Sequence, residues 1–322
     1  MSNIAEYVEM LCQVIMMQWI IGIDGGGTKT VGCAADVTGK VLGWVEKGPS
    51  NYHITGVAKF TAVIAGIIDE LAVSCNLKTA DLLVVSLGLA GADRVRDKEI
   101  VLEALAELGL PCHYLVNSDA KIALVAGLGK AEGIVLIAGT GSIAYGINGQ
   151  GDIIRAGGWG HLASDEGSGY EIGRQAVVRG IRAAEGRDKA TIVMDMIMEY
   201  VGLNSWNDMI GYINNQATSK GDIAAFAQLV GDAAKRGDQV AIEIVKQAGD
   251  ALASLVESVI TRGFGWGEPV QVCMYGGIVT NILMVRERLE EALANRANIV
   301  ACKTQPVEGA VRLGLEWVKN KV

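Results

Sequence analysis

The sequence predicts an α/β protein built from two related halves, and three observations support that prediction. The chain has 322 residues, more than a single compact core usually fills. Patterns typical of buried strands alternate with helical patterns along its length. An arrangement of strand, Gly-Thr loop, strand, glycine turn and strand occurs in 19–46 and again in 133–156. We therefore expect two α/β domains with a cleft between them.

The first copy begins with an apolar run typical of a buried strand, 19–24 (WIIGID). The glycine loop 25–30 (GGGTKT) follows it, and a second strand is expected at 31–36. A turn with a glycine at 37–40 leads to a third strand at 41–46. Tight glycine turns between apolar runs are typical of β-hairpins, so this segment predicts a three-stranded meander.

The second copy has the same order of elements. A buried strand is expected at 133–138 (GIVLIA), and the loop 139–142 (GTGS) follows it. The next strand is expected at 143–148, a glycine turn at 149–152 and a third strand at 153–156. The repetition predicts that the two loops occupy equivalent positions in the two halves.

Each half then continues with a helix and a further buried strand that leads into glycines. In the first half this strand is 82–89, and in the second it is 270–275, followed by Gly276 and Gly277. The alternation of strands and helices favours sheets covered by helices. The segments with clear helical periodicity are 57–73, 97–108, 171–184, 222–235 and 240–262.

The composition indicates a globular protein that does not bind nucleic acid. Half of the residues are hydrophobic, a fifth are charged and the formal net charge is −8. An acidic protein gains nothing from counterion release on DNA or RNA, so no nucleic-acid partner is expected.

The cysteines predict free thiols. They show no CxxC pair and are irregularly spaced, and most lie in apolar surroundings, so a metal or iron–sulfur site has no support. Free thiols fit a reducing cytoplasm, where we expect the protein to reside. The six cysteines are Cys12, Cys33, Cys75, Cys112, Cys273 and Cys302.

The N-terminal segment is apolar but is not expected to anchor the protein in a membrane. The run 8–23 is interrupted by Glu9 and Gln13 and is shorter than the ~20 residues of a spanning helix. It also lacks the basic leader and cleavage site of a secretory signal. Residues 1–18 are either a short helix or an upstream extension, if the natural start is Met17.

The two glycine loops are candidates for phosphate binding. Glycine lets backbone N–H groups approach phosphate oxygens, and a Thr or Ser hydroxyl adds a donor. The first loop lacks the Walker A spacing before Lys29, and a strand follows it where a dinucleotide fingerprint needs a helix. Either loop alone could be an ordinary hairpin. Their equivalent positions in two halves favour a shared phosphate-binding role.

Two aspartates are candidates for the chemistry. Asp24 ends the first strand beside the loop, where its carboxylate would repel phosphate unless a cation such as Mg²⁺ intervened. The alternative is a turn-capping aspartate. Asp119 opens a helical pattern and could serve as the general base that a kinase needs for its acceptor hydroxyl. It could instead be an N-cap, although Ser118 or Asn117 could equally cap that helix.

The segment 157–171 (GGWGHLASDEGSGYE) combines five glycines with an aromatic and two adjacent acids. Asp165 and Glu166 could be acids at the start of the helix that follows. They could instead accept hydrogen bonds from sugar hydroxyls, with Trp159 as an apolar wall. His161 is expected to be a hydrogen-bonded structural residue.

Five motifs together resemble the N-acetylglucosamine kinases and, more broadly, the BadF/BadG/BcrA/BcrD-type ATPase family. That family lies within the superfamily of sugar kinases, actin and heat-shock chaperones. The resemblance extends from about residue 19 to the C-terminus, and the fourth motif is the most specific. The motifs are GIDGGGTKT (22–30), NSDA (117–120), AGTGS (138–142), GGWGHLASDEGSGYEIGRQAV (157–177) and YGGIVTN (275–281).

The resemblance implies two ribonuclease-H-like domains that close over ATP, Mg²⁺ and a sugar, and a homodimer. We place the domains at 1–118 and 119–322, with the last helix packing back on the first. Asp119 is then the catalytic base, and Asp24 remains the candidate metal ligand. The expected ATP-binding residues are Gly25, Gly26, Thr28, Lys29, Thr140, Gly141, Ser142, Gly276 and Gly277. The expected sugar-binding residues are Asn51, Gly158, Trp159 and Asp165.

The sequence therefore predicts a cytoplasmic kinase that transfers the γ-phosphate of ATP to a hydroxyl of an amino sugar. The expected substrate is N-acetylglucosamine and the expected acceptor its 6-hydroxyl. N-acetylmuramate or glucosamine are alternative substrates. An ATPase that switches or activates a partner protein is another alternative, although the cysteines of the iron–sulfur activators are missing. A sugar-binding protein without catalysis is a third class.

Overall fold

The computed structural model describes residues 18–92, 94–265 and 267–321. The interpretation of residues 1–18, and Cys12 with it, lies outside the described residues apart from Gln18. The chain forms two compact units. The first comprises the described residues up to Ala131 together with those from Cys302 onward, and the second is Glu132–Ala301.

Most strands and long helices lie within a few residues of their predicted positions. In chain order the described elements are β1 (Trp19–Gly25), β2 (Thr30–Asp36), β3 (Val41–Lys47), α1 (Tyr52–Thr55), α2 (Val57–Ser74), β4 (Leu82–Leu89), α3 (Val95–Ala106), β5 (His113–Ser118), α4 (Asp119–Leu128), β6 (Gly133–Ala138), β7 (Ser142–Ile147), β8 (Ile153–Gly157), α5 (Gly169–Ala184), α6 (Val193–Val201), α7 (Met209–Ile213), α8 (Lys220–Lys235), α9 (Gln239–Gly263), β9 (Val270–Tyr275), α10 (Gly277–Asn281), α11 (Leu283–Leu293), β10 (Ala297–Val300) and α12 (Pro306–Lys321).

Each unit contains one five-stranded sheet, and the two sheets have the same topology. The first has the order β3-β2-β1-β4-β5 and the second the order β10-β9-β6-β7-β8. The strands β1–β3 and β6–β8 each form an antiparallel meander. In the first sheet β4 and β5 run parallel to β1, and in the second β9 and β10 run parallel to β6. The predicted repeat and the predicted α/β class are therefore confirmed.

The central strand of the first unit is buried on both faces. Side chains alternate between the two faces of a strand. Trp19 and Ile21 accordingly belong to the core that includes Phe60 of α2, whereas Ile20 packs in a second cluster with Val311 of α12. This double burial explains why β1 is a continuous apolar run without polar alternation.

The C-terminal helix α12 packs against α4 and β1, within the first unit. Gly309 allows the closest approach, since a Cβ at this position would overlap the carbonyl oxygen of Ile122 in α4. The helix that begins at Asp119 therefore lies in the first unit. The sequence placed the domain boundary before this helix, whereas the structure divides the chain after Ala131.

The second unit has a larger helical layer, centred on the 25-residue helix α9. Its buried positions include Val245, Leu252, Val256 and Val259, a spacing that puts one apolar stripe against the core. The Asp238 side chain accepts a hydrogen bond from the Ala241 N–H and so caps the helix start. Within the described ranges, no helix combines the length and apolar character needed to cross a bilayer.

The cysteines of the described residues are thiols outside any disulfide, as predicted. Burial raises the pKa of the Cys33 thiol to about 12, which makes this residue a packed apolar group and not a reactive nucleophile. The other described thiols are Cys75, Cys112, Cys273 and Cys302.

Two glycines of α12 provide a matched test of the helix packing. We expect Gly309→Ala to lower the free energy of unfolding by about 1–3 kcal/mol, because its Cβ would push α12 away from Ile122. A Cβ at Gly314 would meet its neighbours at an ordinary 3.5 Å. Gly314→Ala should therefore be neutral or gain up to about 1 kcal/mol of helix propensity. Denaturant unfolding of both variants measures the difference, and equal effects would contradict the packing described.

Candidate active site

The topology of the first unit brings two aspartates to one edge of its sheet. Strands β1, β4 and β5 are parallel, so their carboxyl ends share that edge. The register pairs Asp24 with Gly88, and Gly88 with Asn117. Asp119 lies two residues beyond Asn117, at the first position of α4. Residues that are far apart in sequence thus form a pair of neighbouring carboxylates.

The electrostatics of Asp24 favour a bound cation. Burial and, after it, the charge of Asp119 raise the pKa of this carboxyl to about 6, because Lys29 offsets them only partly. A buried carboxylate beside a second one is stabilised by a divalent ion. Among the described residues no group of three or more His, Cys, Asp or Glu could hold a metal. Two carboxylates completed by water and phosphate oxygens suit Mg²⁺, which rarely has an all-protein cage.

The helix that follows β5 is capped by Ser118 and not by Asp119. The Ser118 hydroxyl accepts a hydrogen bond from the Lys121 N–H at 3.2 Å. Asp119 is the first helical residue, and its Oδ1 accepts from the Ala120 N–H at 2.8 Å. The interpretation of Asp119 as the N-cap is therefore wrong. Asp119 is half-buried at this edge of the sheet.

The first Gly-Thr loop is a tight turn between β1 and β2. The Gly26 N–H donates to the Lys29 carbonyl at 3.0 Å. The chain fixes the turn from two sides, because Ser50 donates to the Gly26 carbonyl at 3.2 Å and Ala90 to the Gly25 carbonyl at 2.9 Å. Thr28 is exposed at its tip. The loop is thus rigid at its base and open to solvent at its Thr.

Lys29 leaves the loop toward β3. Its ammonium forms an exposed ion pair with Glu46 at 2.8 Å. A pair of this kind contributes little stability and exchanges readily for another anion. Asp24 and Lys29 also line a cavity of about 460 Å³ together with Trp44 and Val307. The Asp24 carboxylate therefore borders a space that can hold a ligand.

Asn51 opens the short helix α1, where its Oδ1 accepts from the His53 N–H at 3.1 Å. Beside it lies a buried pair that the sequence did not indicate. The Tyr52 hydroxyl donates to Asp97 Oδ1 at 2.5 Å, and the buried Asp97 Oδ2 has no hydrogen-bond partner among the described residues. Asp97 belongs to α3, 45 residues away. In the sequence it resembles an ordinary first-turn acid of a helix, which carries no signal of this contact.

The second Gly-Thr loop joins β6 to β7 in the second unit. Thr140 is exposed, as Thr28 is in the first loop. Ser142 is buried, and its hydroxyl donates to the Glu166 carbonyl at 2.7 Å. The Gly158 N–H donates to the Ser142 carbonyl at 2.9 Å. The predicted phosphate loop and the glycine-rich segment 157–171 are therefore in direct contact.

The predicted glycines after β9 also lie at this loop. Gly276, with φ of 103°, is the N-cap of α10, and Gly277 is its first residue. A Cβ on Gly276 would overlap the Ala138 carbonyl and come within 3.0 Å of the Gly139 nitrogen. Only glycine permits this approach. The structure thus brings Gly276 and Gly277 to the Gly-Thr loop from a distant part of the sequence.

Asp165 lies against the same loop and has a charged partner that the sequence did not indicate. Its Oδ1 accepts from the Ser142 N–H at 3.2 Å, and its Oδ2 pairs with the Lys220 ammonium at 2.7 Å. The helix α5 begins at Gly169 with Ser168 as its cap, so Asp165 precedes the helix. The interpretation of Asp165 as a helix-start acid is wrong, and its sugar contact remains a prediction.

Trp159 is 65% exposed, and the guanidinium of Arg155 lies 4.2 Å from its ring centroid. A cation over one face of the ring stiffens the side chain and leaves the indole accessible to a ligand. His161 packs edge-on against Tyr170, with the ring centroids 4.8 Å apart. This ring contact does not test the hydrogen-bonded role predicted for His161, which stays a prediction.

The BadF/BadG/BcrA/BcrD ATPase family matches residues 21–314. The chain belongs to that family. An N-acetylmuramic acid/N-acetylglucosamine kinase from Clostridium acetobutylicum is 35% identical over 298 residues, which cover 92% of this chain and 97% of that protein. An N-acetyl-D-glucosamine kinase from Dictyostelium discoideum is 32% identical over 314 residues, which cover 93% of this chain and 98% of that protein.

A solved structure from Chromobacterium violaceum, assigned as an N-acetylglucosamine kinase, has the same fold. It aligns with a TM-score of 0.76 and 25% identity, covering 93% of this family member and 99% of the other chain. Together with the two mixed five-stranded sheets, this likeness confirms the predicted ribonuclease-H-like, actin-like fold.

The raised pKa of Asp24 predicts how stability depends on pH. The folded protein holds the Asp24 proton more tightly than the unfolded chain, with a pKa of about 6 against 3.8. The contribution of this carboxyl to the free energy of unfolding is therefore fully present below pH 4 and is lost as the pH rises through 6. Asp24→Asn mimics the protonated form, so without divalent metal it should gain roughly 2–3 kcal/mol at pH 8 and nothing near pH 4. Denaturant unfolding at both pH values measures this.

The exposed Asp69 of α2 supplies the control. Asp69→Asn should leave the free energy of unfolding within about 0.5 kcal/mol of the original at both pH values. A loss of stability in Asp24→Asn at pH 8 would contradict the electrostatic account of Asp24.

Proposed function

We propose that this family member is a cytoplasmic, homodimeric, ATP- and Mg²⁺-dependent kinase that phosphorylates an amino sugar. The observation that carries the proposal is the pair of carboxylates, Asp24 and Asp119, at the edge of a sheet where a rigid Gly-Thr loop ends β1. The names of the two relatives support the substrate class, since both are kinases of N-acetylated amino sugars.

Asp119 is the general base of the proposal. A hydroxyl that attacks the γ-phosphate must lose its proton, and a positioned carboxylate can accept it. Its place at the first turn of α4, behind the Ser118 cap, fixes the backbone that carries this carboxylate. Asp24 is the metal-holding residue, directly or through water. Bound Mg²⁺ supplies charge neutralisation at the phosphates.

Each Gly-Thr loop binds phosphate through its backbone N–H groups and its exposed hydroxyl, Thr28 in the first loop and Thr140 in the second. The Lys29 ammonium exchanges Glu46 for phosphate, since its present ion pair is exposed and weak. Ser142 supports the second loop through its bond to Glu166, and the glycines after β9 accommodate the nucleoside. The nucleotide-binding residues of the proposal are Gly25, Gly26, Thr28, Lys29, Thr140, Gly141, Ser142, Gly276 and Gly277.

Asn51, Gly158 and Trp159 recognise the sugar, with N-acetylglucosamine as the first candidate and its 6-hydroxyl as the acceptor. Asn51 has a fixed backbone at the start of α1 and an amide donor for sugar hydroxyls. The exposed indole of Trp159 provides an apolar face of the kind that sugar rings stack on. N-acetylmuramate is the second candidate, because one relative carries both sugars in its name.

A substrate screen tests the proposed activity. Purified protein with ATP and Mg²⁺ is offered N-acetylglucosamine, N-acetylmannosamine, N-acetylmuramate, glucosamine and glucose, and ADP release is measured. We expect ADP release that depends on an N-acetylated amino sugar, with a phosphosugar product whose modified oxygen is identified by NMR. ATP hydrolysis that no sugar stimulates would favour the ATPase switch. Sugar binding without ATP binding would favour a sugar sensor.

The role of Asp119 has its own test. Asp119→Asn should lower kcat by about 10²–10⁴-fold, because the amide cannot accept the hydroxyl proton. The affinity for ATP, measured by calorimetry, should change little, since the variant keeps the shape of the side chain. The exposed Asp69→Asn serves as the control with unchanged kcat. Turnover of the Asp119 variant near the original rate would remove this residue from its proposed role.

A further inference from the structure

The ion pair between Lys220 and Asp165 is the most buried charged contact beside the second Gly-Thr loop. The Asp165 side chain is only 4% exposed, whereas Lys220 at the start of α8 is 33% exposed. A carboxylate this deeply buried needs a compensating charge, since losing one partner of a buried pair is strongly destabilising. Lys220 supplies that charge at 2.7 Å.

The position of Lys220 is itself fixed. Ser219 and Asp222 form a reciprocal capping box at the start of α8, in which the Asp222 carboxylate accepts from the Ser219 N–H at 2.7 Å. Lys220 is the first residue of the helix between these two capping residues. A capped helix start is a rigid support for a side chain that must hold one geometry.

The Asp165 carboxylate connects Lys220 to the loop through direct contacts. Its Oδ1 accepts from the Ser142 N–H at 3.2 Å, and a Cβ built on Gly141 would lie 2.9 Å from the same oxygen. The next residues continue the contact, since Gly169 donates to the Gly139 carbonyl at 2.8 Å and Tyr170 to the Thr140 carbonyl at 3.3 Å. Every residue of the Gly-Thr loop therefore touches the segment that Asp165 begins.

The backbone of Asp165 is also unusual. Its φ is +71°, in the left-handed region that residues other than glycine rarely adopt and that Asp and Asn tolerate best. A strained residue of this kind is retained where its surroundings demand that geometry. Here the backbone geometry lets the carboxylate contact the Ser142 N–H and the Lys220 ammonium at the same time.

We propose that Lys220 and Asp165 are positioning residues of the nucleotide site, which hold the loop Gly139–Ser142 in its phosphate-binding shape. The inference rests on the proposed kinase function and adds a residue, Lys220, to it. It also gives Asp165 a role at the loop, because the carboxylate is 3% exposed by residue and contacts the Ser142 N–H and the Lys220 ammonium.

Four variants test this proposal: Lys220→Met, Lys220→Arg, Asp165→Asn and the double variant Lys220→Met/Asp165→Asn. Binding of a non-hydrolysable ATP analogue with Mg²⁺ is measured by calorimetry, and KM values for ATP and N-acetylglucosamine are measured separately. Lys220→Met should weaken the analogue about 10- to 100-fold, the range expected when a charge-assisted contact is lost. Asp165→Asn should weaken it in the same direction, and Lys220→Arg should recover part of the loss. The KM for the sugar should change less than about threefold.

The double variant separates positioning from a general loss of folding. Lys220→Met leaves a buried unpaired carboxylate, and Asp165→Asn removes that charge. The double variant should therefore melt at a higher temperature than Lys220→Met and bind nucleotide as weakly as Asp165→Asn alone. Lys189→Met is the matched control, because Lys189 pairs with Glu243 at 2.7 Å on the exposed surface of the same unit. It should leave nucleotide affinity unchanged.

Three results would overturn the proposal. Lys220→Met could bind the analogue within twofold of the original protein. The variants could raise the KM for the sugar alone, which would return Asp165 to sugar recognition. Asp165→Asn could bind nucleotide normally while Lys220→Met does not, which would make Lys220 a direct phosphate ligand. If the original protein bound no ATP analogue, the kinase proposal would fail as well, whereas normal binding with unaffected variants contradicts the positioning role alone.

Discussion

The mixed pairing of one strand in each sheet is the constraint on which both loops depend. β1 is antiparallel to β2 on one side and parallel to β4 on the other, and β6 has the same relation to β7 and β9. The carboxyl end of such a strand is adjacent to its own hairpin loop and to the carboxyl end of its parallel neighbour. A hairpin alone gives a loop with solvent on most sides. The parallel partner adds a second chain segment at the same edge.

The consequences differ between the units because different residues follow the parallel strand. In the first unit, Ala90 donates to the Gly25 carbonyl and so braces the loop from β4. One strand further along, β5 delivers Asp119 to the same edge. In the second unit, β9 ends in Gly276, which approaches the Gly139 backbone as closely as glycine permits. The same topology thus supplies carboxylates in one unit and a backbone surface in the other.

The elements that could be predicted from the sequence are those whose signal is local. β1, β4 and β6 are apolar runs that lead into glycines, and their predicted and observed limits agree closely. β5 was not predicted, since it is half-buried and ends in polar residues. β10, with four residues, has too little pattern to be recognised. Register, which decides that Asp24 lies near Asp119, follows from pairing across the sheet and not from either strand.

The site residues divide in the same way. Asp24, Thr28 and Thr140 lie within their own motifs, so the sequence could mark them. The contacts of Lys220 and Asp97 could not be predicted, because their partners are 55 and 45 residues away in the sequence. An isolated lysine or aspartate at a helix start also resembles a solvated residue. Their importance depends on burial of the partner group. Burial arises only when the helices pack, so it has no local sequence pattern.

The charge balance of the two loops gives the final step of the argument. Asp165 is more deeply buried than Asp24, yet Lys220 compensates it within the protein. The pKa of Asp24, in contrast, stays raised to about 6 by burial and by the like charge of Asp119, and Lys29, which pairs with Glu46, lowers it only in part. A fold that only needed stability would remove the uncompensated carboxylate. Its presence at the cavity edge is understandable if a cation from outside the chain completes the balance. One loop therefore has its buried carboxylate neutralised by an ammonium of the protein, whereas the carboxylate beside the other loop keeps a raised pKa that a bound cation would lower.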